Sequence, residues 1–285
     1  MTTRRSFIKT TAGAIGAAAL LGRLPIGLHA ATAKKPRPFG FQTWTVRDEL
    51  AADLPGTLKR MAAMGYEEVE FCSPHGYTGT PFEKFTSLGA AELRAIIGDS
   101  GLRCASSHFN MPELRDRLDR TIEWAHGMGL SQMIASSFWL PKDATLDDYR
   151  RSCDELNAIA AKIRASGMQA GFHNHHMEFE KRDGTLTYDA MLERLDPAAV
   201  KMQFQVAVVD IGYKAADYFR AHPGRFISAH LADWSSAENR QVPIGKGVVD
   251  WKDFFAAAEV GGVKNVFVEM DPATFPASAE FLRSI

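Results

Sequence analysis

The chain has 285 residues, of which 46% are hydrophobic, enough to bury a sizeable core in one large domain or two small ones. Its formal net charge of −1 argues against a nucleic-acid-binding protein, which normally carries a basic surface. Cys72, Cys104 and Cys153 are too few and too scattered for a disulfide framework or a cysteine-rich zinc site, so we expect buried thiols.

Residues 1–33 are typical of a twin-arginine export signal. Arg4 and Arg5 precede a run of small, weakly apolar residues, and Ala31-Thr32-Ala33 offers an A-x-A cleavage site. The run is shorter than the roughly 20 apolar residues of a membrane span. The alternative is a chance arginine pair before an amphipathic helix. With 34–38 as a linker, the sequence predicts a periplasmic or otherwise extracytoplasmic protein that has no membrane attachment once the signal is removed.

From residue 39 onward, short apolar runs alternate with amphipathic stretches, several of which end in a glycine suited to a helix C-cap. The runs predict strands at 39–44, 67–71, 102–108, 132–136, 168–173, 200–206, 226–231 and 265–269. The stretches predict helices at 54–64, 90–100, 111–128, 145–166, 187–195, 215–221, 249–258 and 276–284.

The number and spacing of these repeats favour a single α/β domain, a (β/α)8 TIM barrel over 39–285. Eight strand–helix units in about 245 residues match the usual size of that fold. A doubly wound open sheet is the alternative. It has less support because the first strand is followed by the sequence QTWTVRD at 42–48, where such a sheet would place a glycine-rich phosphate-binding turn.

Polar side chains end most of the predicted strands. In a TIM barrel the active site forms at the C-terminal ends of the strands, so these side chains are candidate site residues. They are Gln42 and Trp44 on the first strand, Glu70 on the second, His108 on the third, His173 and His175 on the fifth, Gln205 on the sixth, His230 on the seventh and Glu269 on the eighth.

Four of these residues predict a metal site. His173, Gln205, His230 and Glu269 follow one another at intervals of about one strand–helix unit, and adjacent strand ends would bring them to one point. Imidazole nitrogens, an amide oxygen and a carboxylate suit a borderline divalent ion. Water or substrate oxygens would complete an open coordination shell.

The segment after the fifth strand is rich in imidazoles and carboxylates. His175 lies two residues after His173, so strand alternation places it on the same side, as a fifth ligand or a substrate contact. His176 is expected to point away. We interpret Glu178 and Glu180 as structural residues that continue the strand into a hairpin.

Several motifs resemble the xylose isomerase-like TIM barrels known as sugar phosphate isomerases/epimerases. The resemblance covers nearly all of 39–285 and is specific for the superfamily, not for a substrate. The motifs are QTWTVRD at 42–48, GYEEVEF at 65–71, FHNH at 172–175, PGRF at 223–226, HLADW at 230–234, PIGKGVVDW at 243–251 and FVEM at 267–270.

The resemblance implies a site for one divalent ion. The family binds it through a Glu on strand five, an Asp on strand six, a His on strand seven and a Glu on strand eight. His230 and Glu269 match the last two, whereas His173 and Gln205 stand at the first two positions. Asp210, about five residues later, is an alternative strand-six ligand. Three ligand carboxylates thus fall to one, and nitrogen ligands favour Mn, Zn, Co or Fe over Mg.

The resemblance and the site residues together predict a divalent-metal-dependent sugar isomerase or epimerase. Its substrate would be an unphosphorylated sugar or keto-sugar, since sugar phosphates are scarce outside the cytoplasm. Glu269 would move a proton next to a carbonyl, with His108 or Glu70 as the second acid or base. Gln42, Trp44, His175 and Lys246 would contact the substrate, and Trp44, Phe109 and Trp139 would form an apolar wall for the sugar ring.

Other functions remain open on the sequence alone. Loss of one carboxylate base also suits a lyase or hydrolase that cleaves a 3-keto-glycoside at the same metal site. A non-catalytic periplasmic sugar-binding module is another alternative. A nuclease of the same superfamily would need more acidic and histidine ligands than the chain offers. The expected partner is a small carbohydrate, and an oligomer is possible.

Overall fold

A closed barrel of parallel strands forms the centre of the computed structural model, which describes residues 37–285. The first and last strands pair, with Gly40 opposite Phe267, so the predicted TIM barrel is confirmed and an open sheet is excluded. The predicted export signal and nearly all of the linker lie outside the described residues. The eight barrel strands are, in order, Gly40–Gln42, Glu68–Cys72, Arg103–Phe109, Gln132–Ala135, Gln169–His173, Val200–Gln205, Phe226–Leu231 and Asn265–Val268.

Helices connect the strands and surround the barrel. Within residues 37–285 none combines the length and hydropathy that a membrane crossing requires. The helices are α1 Arg47–Ala52, α2 Leu54–Met64, α3 Ala90–Asp99, α4 Met111–Asp116, α5 Leu118–Met128, α6 Leu146–Ala165, α7 Thr187–Arg194, α8 Ala215–Ala221, α9 Trp251–Gly261 and α10 Phe275–Ser284.

The sequence pattern was wrong at two helices and missed α1. The predicted helix 111–128 is interrupted at Arg117, whose backbone lies outside the helical region (φ −137, ψ 24). Helix α9 begins at Trp251 instead of 249, because the Asp250 side chain accepts a hydrogen bond from the backbone N–H of Asp253 and caps the helix there.

Helix α6 shows how sequence produces the outer layer. The Thr145 side chain accepts from the backbone N–H of Asp148, and the Asp148 carboxylate accepts from that of Thr145, so a capping box starts the helix. Leu156, Ile159 and Ile163 follow at helical spacing and are buried. Full burial of each such side chain contributes about 1.5–3 kcal/mol.

The lower end of the barrel is filled by a polar cluster. The Glu68 carboxylate accepts from Arg103 (3.2 Å) and from the Asn265 amide (2.7 Å), and Gln132 donates to Asn265 (2.7 Å). Alternate strand residues share a face, so Glu70 points into the same barrel one layer closer to the C-terminal strand ends. Because of strand alternation, polar side chains fill the barrel from the cluster around Glu68 up to the candidate site.

Two short hairpins lie on the C-terminal loops. Lys181–Arg182 pairs with Thr185–Leu186, and Trp234–Ser235 pairs with Arg240–Gln241. The first is the hairpin expected after the fifth strand. Glu178 is not part of it, because His176–Phe179 forms a 3-10 helix before the hairpin begins.

Candidate active site

Three imidazoles from three barrel strands meet inside the C-terminal end of the barrel. His108, His173 and His230 are all buried, and one ring nitrogen from each lies within 4.8 Å of the others. The rings of His173 and His230 are closest, with centroids 4.2 Å apart. Such a group can hold a metal ion. His173 and His230 belong to the predicted metal set, whereas His108 is the residue for which the sequence predicted an acid or base role.

His173 is distinctive because neither ring nitrogen has a hydrogen-bond partner, although the side chain is fully buried. A buried polar group without a partner costs about 1–3 kcal/mol. Burial, together with the neighbouring imidazoles, holds the pKa of His173 well below its usual value. A neutral imidazole with unused nitrogens has the protonation state that metal binding requires.

His230 lies between two carboxylates. Its Nε2 is 2.5 Å from Glu70 Oε2, and its Nδ1 is 2.9 Å from Glu269 Oε2. Burial alone would lower the pKa of His230, but the negative charges of Glu269 and Glu70 outweigh burial and raise it to about 9. Burial would raise the pKa of Glu269, yet His230 lowers it to about 2. In the absence of a metal ion, the His230 imidazolium neutralises part of the negative charge of Glu70 and Glu269.

Gln205 and His230 both contact one carboxylate oxygen of Glu269. Gln205 Nε2 donates to Glu269 Oε2 at 2.6 Å, beside the 2.9 Å contact of His230 Nδ1. Gln205 Oε1 accepts from the backbone N–H of Ala207 at 3.2 Å, so a half-turn of the amide that presented this oxygen to a cation would break that hydrogen bond. These three side chains and the unpartnered His173 fit a divalent ion.

Asp210, the alternative ligand of the sixth strand, is not part of this cluster. It is exposed in the 3-10 helix Val206–Ile211, and the Nε2 atom of His176 lies 2.9 Å from its Oδ1. His176 is exposed as well, as expected for the imidazole that points away from the barrel.

Glu70 lies beneath the imidazoles and has no exposed surface. Its Oε1 accepts from Ser106 Oγ (2.5 Å) and Gln203 Nε2 (2.8 Å). Burial alone would raise the pKa of Glu70, but its contacts with His108 and His230 outweigh burial and hold that pKa well below its usual range. The predicted role of Glu70 in exchanging protons with substrate stays a prediction, and the contacts of Glu70 are with groups inside the barrel.

Hydrogen bonds define the tautomer of His108. Gln42 Oε1 accepts from the backbone N–H of Trp44, so Gln42 Nε2 is left to donate to His108 Nδ1 at 3.3 Å. Gln203 Nε2 donates to Glu70 and Ser228, so Gln203 Oε1 accepts from His108 Nε2–H at 2.7 Å. Both ring nitrogens of His108 thus have partners, and its predicted role as the second acid or base stays a prediction. Gln42 is fully buried and supports His108.

Gln203 was missed by sequence reasoning. It is fully buried and contacts Glu70, His108 and Ser228. The available signal was strand alternation, since Gln203 lies two residues before Gln205 and shares its face.

Tryptophans occupy the rim of the site. Trp44 is 38% exposed and carries the Arg47 guanidinium 4.6 Å above its ring. Trp139 is 57% exposed, has a left-handed backbone (φ 50) and lies 4.9 Å from the ring of His175. Phe109 does not complete the predicted apolar wall. It is fully buried between the barrel and α5, with its ring 5.9 Å from Trp124.

His175 is held beside His173 by a buried carboxylate. The backbone N–H of His175 donates to Glu178 Oε2 (2.7 Å), and Ser137 Oγ donates to Glu178 Oε1 (3.2 Å). Glu178 thereby joins the loops after strands four and five. Burial lowers the pKa of His175 to about 4. Its Nδ1 has no partner, so its predicted contact with substrate remains a prediction.

Lys246 is exposed on the loop before α9. The buried Asp233 carboxylate holds that loop by accepting from the backbone N–H groups of Gly245 (3.0 Å) and Gly247 (3.1 Å). A Cβ at Gly247 would lie 2.2 Å from Asp233 Oδ1, so the loop requires glycine there. The predicted contact of Lys246 with substrate stays a prediction.

Glu113 gives the fold a testable pH dependence. Ser73 Oγ donates to its Oε1 at 2.7 Å, its Oε2 has no partner, and burial raises its pKa from 4.5 to about 7. The stability that protonated Glu113 contributes is therefore fully present below its unfolded pKa of 4.5 and is lost as pH rises through about 7. Glu113→Gln is expected to gain about 3 kcal/mol relative to wild type between pH 4.5 and 8. Urea unfolding across this range measures the gain.

The matched control for Glu113 is Glu180→Gln, because Glu180 is exposed. Its difference from wild type should not change with pH. A pH-independent difference for Glu113→Gln as well would show that Glu113 ionises normally in the folded protein.

The fold and the site together define a TIM-barrel protein with a candidate metal centre at the C-terminal strand ends. The profile of the xylose isomerase-like TIM barrel family matches residues 58–285. The chain therefore belongs to this family. None of the curated proteins compared with the chain is similar to it in sequence.

Solved structures share the fold. A sugar phosphate isomerase/epimerase from Parabacteroides distasonis ATCC 8503 superposes with a TM-score of 0.77 at 22% identity, over 90% of this chain and 98% of that one. D-allulose 3-epimerase from Methylomonas sp. has a TM-score of 0.63 at 14% identity, over 88% and 98%. A xylose isomerase-like TIM barrel protein from Mycobacterium smegmatis, in complex with magnesium, has a TM-score of 0.62 at 13% identity, over 87% and 96%.

Proposed function

We propose that the protein is a divalent-metal-dependent enzyme of the isomerase/epimerase type that acts on an unphosphorylated sugar or keto-sugar. The observation that carries the proposal is the convergence of Gln205 and His230 on Glu269 Oε2, beside the unpartnered nitrogens of His173. Related folds include a sugar phosphate isomerase/epimerase and a D-allulose 3-epimerase, which supports the reaction type.

The residues that would hold the ion are His173, Gln205, His230 and Glu269. When bound, such an ion polarises a substrate carbonyl and makes the neighbouring C–H more acidic. Two imidazoles and an amide favour Mn, Zn, Co or Fe over Mg, because nitrogen ligands suit the later metals. The magnesium in the Mycobacterium smegmatis protein shows that a related barrel accepts a divalent ion.

Glu269 is the proposed base. It follows the eighth strand, and its side chain is 16% exposed, whereas Glu70 is fully buried. The contact with His230 keeps it ionised, and the 2.6 Å hydrogen bond from Gln205 fixes its orientation. Trp44, Trp139 and His175 would line the path to it. Their exposed or unpartnered atoms suit the apolar faces and hydroxyls of a sugar.

A second candidate is cleavage of a 3-keto-glycoside at the same site. It is favoured by the hydrogen bonds that occupy Glu70 and His108, because Glu269 is then the one carboxylate of the cluster that reaches the open side. Elimination needs one base beside the carbonyl, whereas epimerisation needs a proton donor on the opposite face as well.

Metal analysis and a substrate panel test the proposal. Elemental analysis of purified protein should find one divalent ion per chain. Keto-sugars and 3-keto-glycosides incubated in D2O are then followed by NMR. A product of unchanged composition that carries deuterium supports isomerisation, and a released aglycone or monosaccharide supports cleavage. Sugar binding of equal affinity with and without metal, without turnover, would instead identify a binding module.

The proposed location is outside the cytoplasm, through the twin-arginine signal of residues 1–33. Cell fractionation tests it. Replacement of Arg4 and Arg5 by lysine should retain the protein in the cytoplasm, whereas unchanged fractionation would exclude this route.

A further inference from the structure

Glu70 connects more of the barrel than any ligand candidate does. From the second strand, its Oε1 reaches Ser106 on the third strand (2.5 Å) and Gln203 on the sixth (2.8 Å). Its Oε2 lies 3.1 Å from His108 Nε2 and 2.5 Å from His230 Nε2. Through these contacts Glu70 links the second, third, sixth and seventh strands at the level of the imidazoles.

We propose that Glu70 is a positioning residue of the candidate metal centre and acts through His230. By accepting Nε2–H, Glu70 orients the ring so that Nδ1 faces Glu269 and Gln205. A metal-bound imidazole commonly donates its other N–H to a carboxylate, which sets the tautomer and strengthens the ligand. The inference rests on the proposed function, because it takes His230 as a ligand.

The surroundings of Glu70 require a carboxylate. Gln203 Nε2 donates to Glu70 Oε1, and its orientation is set because it also donates to Ser228 while its Oε1 accepts from His108. Both oxygens of Glu70 therefore face donors. A glutamine at this position would place its NH2 group against either Gln203 Nε2–H2 or His230 Nε2–H. One hydrogen bond would be lost whichever way that amide turned.

Glu70 also adds negative charge next to a ligand set that contains a single carboxylate. Within the proposed set of His173, Gln205, His230 and Glu269, only Glu269 carries a negative charge. Glu70 adds a second carboxylate directly behind His230, inside the barrel and away from solvent, where charge acts at greater strength than in water. A cation held at Nδ1 would be stabilised by both carboxylates.

Cobalt titration of metal-free protein tests the inference. Calorimetry and the visible absorption of Co²⁺ are measured for wild type, Glu70→Gln and Glu68→Gln. Glu70→Gln should bind Co²⁺ about 10–100-fold more weakly and with an altered absorption spectrum. Glu68 is the matched control. It lies on the same strand and face, but it contacts Arg103 and Asn265 at the other end of the barrel.

Each outcome decides a different point. If wild type binds no Co²⁺, the proposed metal-dependent function is overturned. If wild type binds and Glu70→Gln matches Glu68→Gln in affinity and spectrum, the positioning role is overturned. Should Glu70→Gln fail to fold, Ser106→Ala removes one hydrogen bond to Glu70 and keeps the carboxylate. A loss of a few-fold in Co²⁺ affinity then supports the role, and unchanged affinity and spectrum reject it.

Discussion

His230→Ala is expected to lower the free energy of unfolding by about 3–5 kcal/mol and to abolish binding of a divalent ion. The imidazole separates Glu70 and Glu269, at 2.5 and 2.9 Å, inside the barrel. Its removal leaves two carboxylates without their shared partner, and breaking a buried ion pair is costly because the remaining charge stays desolvated. Urea unfolding of metal-free protein measures the first effect, and elemental analysis the second.

His126→Ala is the matched control, since His126 is exposed on α5. It should change stability by less than about 0.5 kcal/mol and leave the metal content unaltered. Full metal occupancy in His230→Ala would reject the proposed ligand set. Wild-type stability in metal-free His230→Ala would show that the two carboxylates are not both charged in the folded protein.

Glu269→Gln is expected to reduce turnover by about 10²–10⁴-fold, the usual contribution of a positioned general base. Glutamine retains the shape and a hydrogen-bonding oxygen but cannot take a proton. The measurement is deuterium incorporation next to the substrate carbonyl, followed by NMR in D2O at saturating Mn²⁺ or Co²⁺. Metal content of the same samples separates loss of the base from loss of the ion.

Glu238→Gln provides the control on the same end of the barrel. Glu238 is exposed and pairs with Arg240, without contact to the imidazoles. Its exchange rate should equal that of wild type. Near wild-type deuterium incorporation by metal-loaded Glu269→Gln would show that Glu269 is not the base. His175 would then be the next candidate for that role.

Much of the fold was predictable because it depends on local periodicity. The runs at 200–206 and 226–231 became strands Val200–Gln205 and Phe226–Leu231, and alternation placed His173 and His230 inside the barrel. Closure of the barrel then followed from the count of strand–helix units. The break at Arg117 was not predictable from periodicity, because apolar spacing continues from α4 into α5.

The sequence by itself determined the barrel, the residues at its strand ends and the family resemblance, since all three depend on order, spacing and face. Only the tertiary structure decided which of those residues lie against one another. Glu70 and His230 are 160 positions apart, and Glu70 and Gln203 are 133 apart, so their contacts depend on how the closed barrel staggers its strands. That stagger left His173 without a partner, enclosed Glu70 and His108 in hydrogen bonds, and turned Phe109 outward against α5.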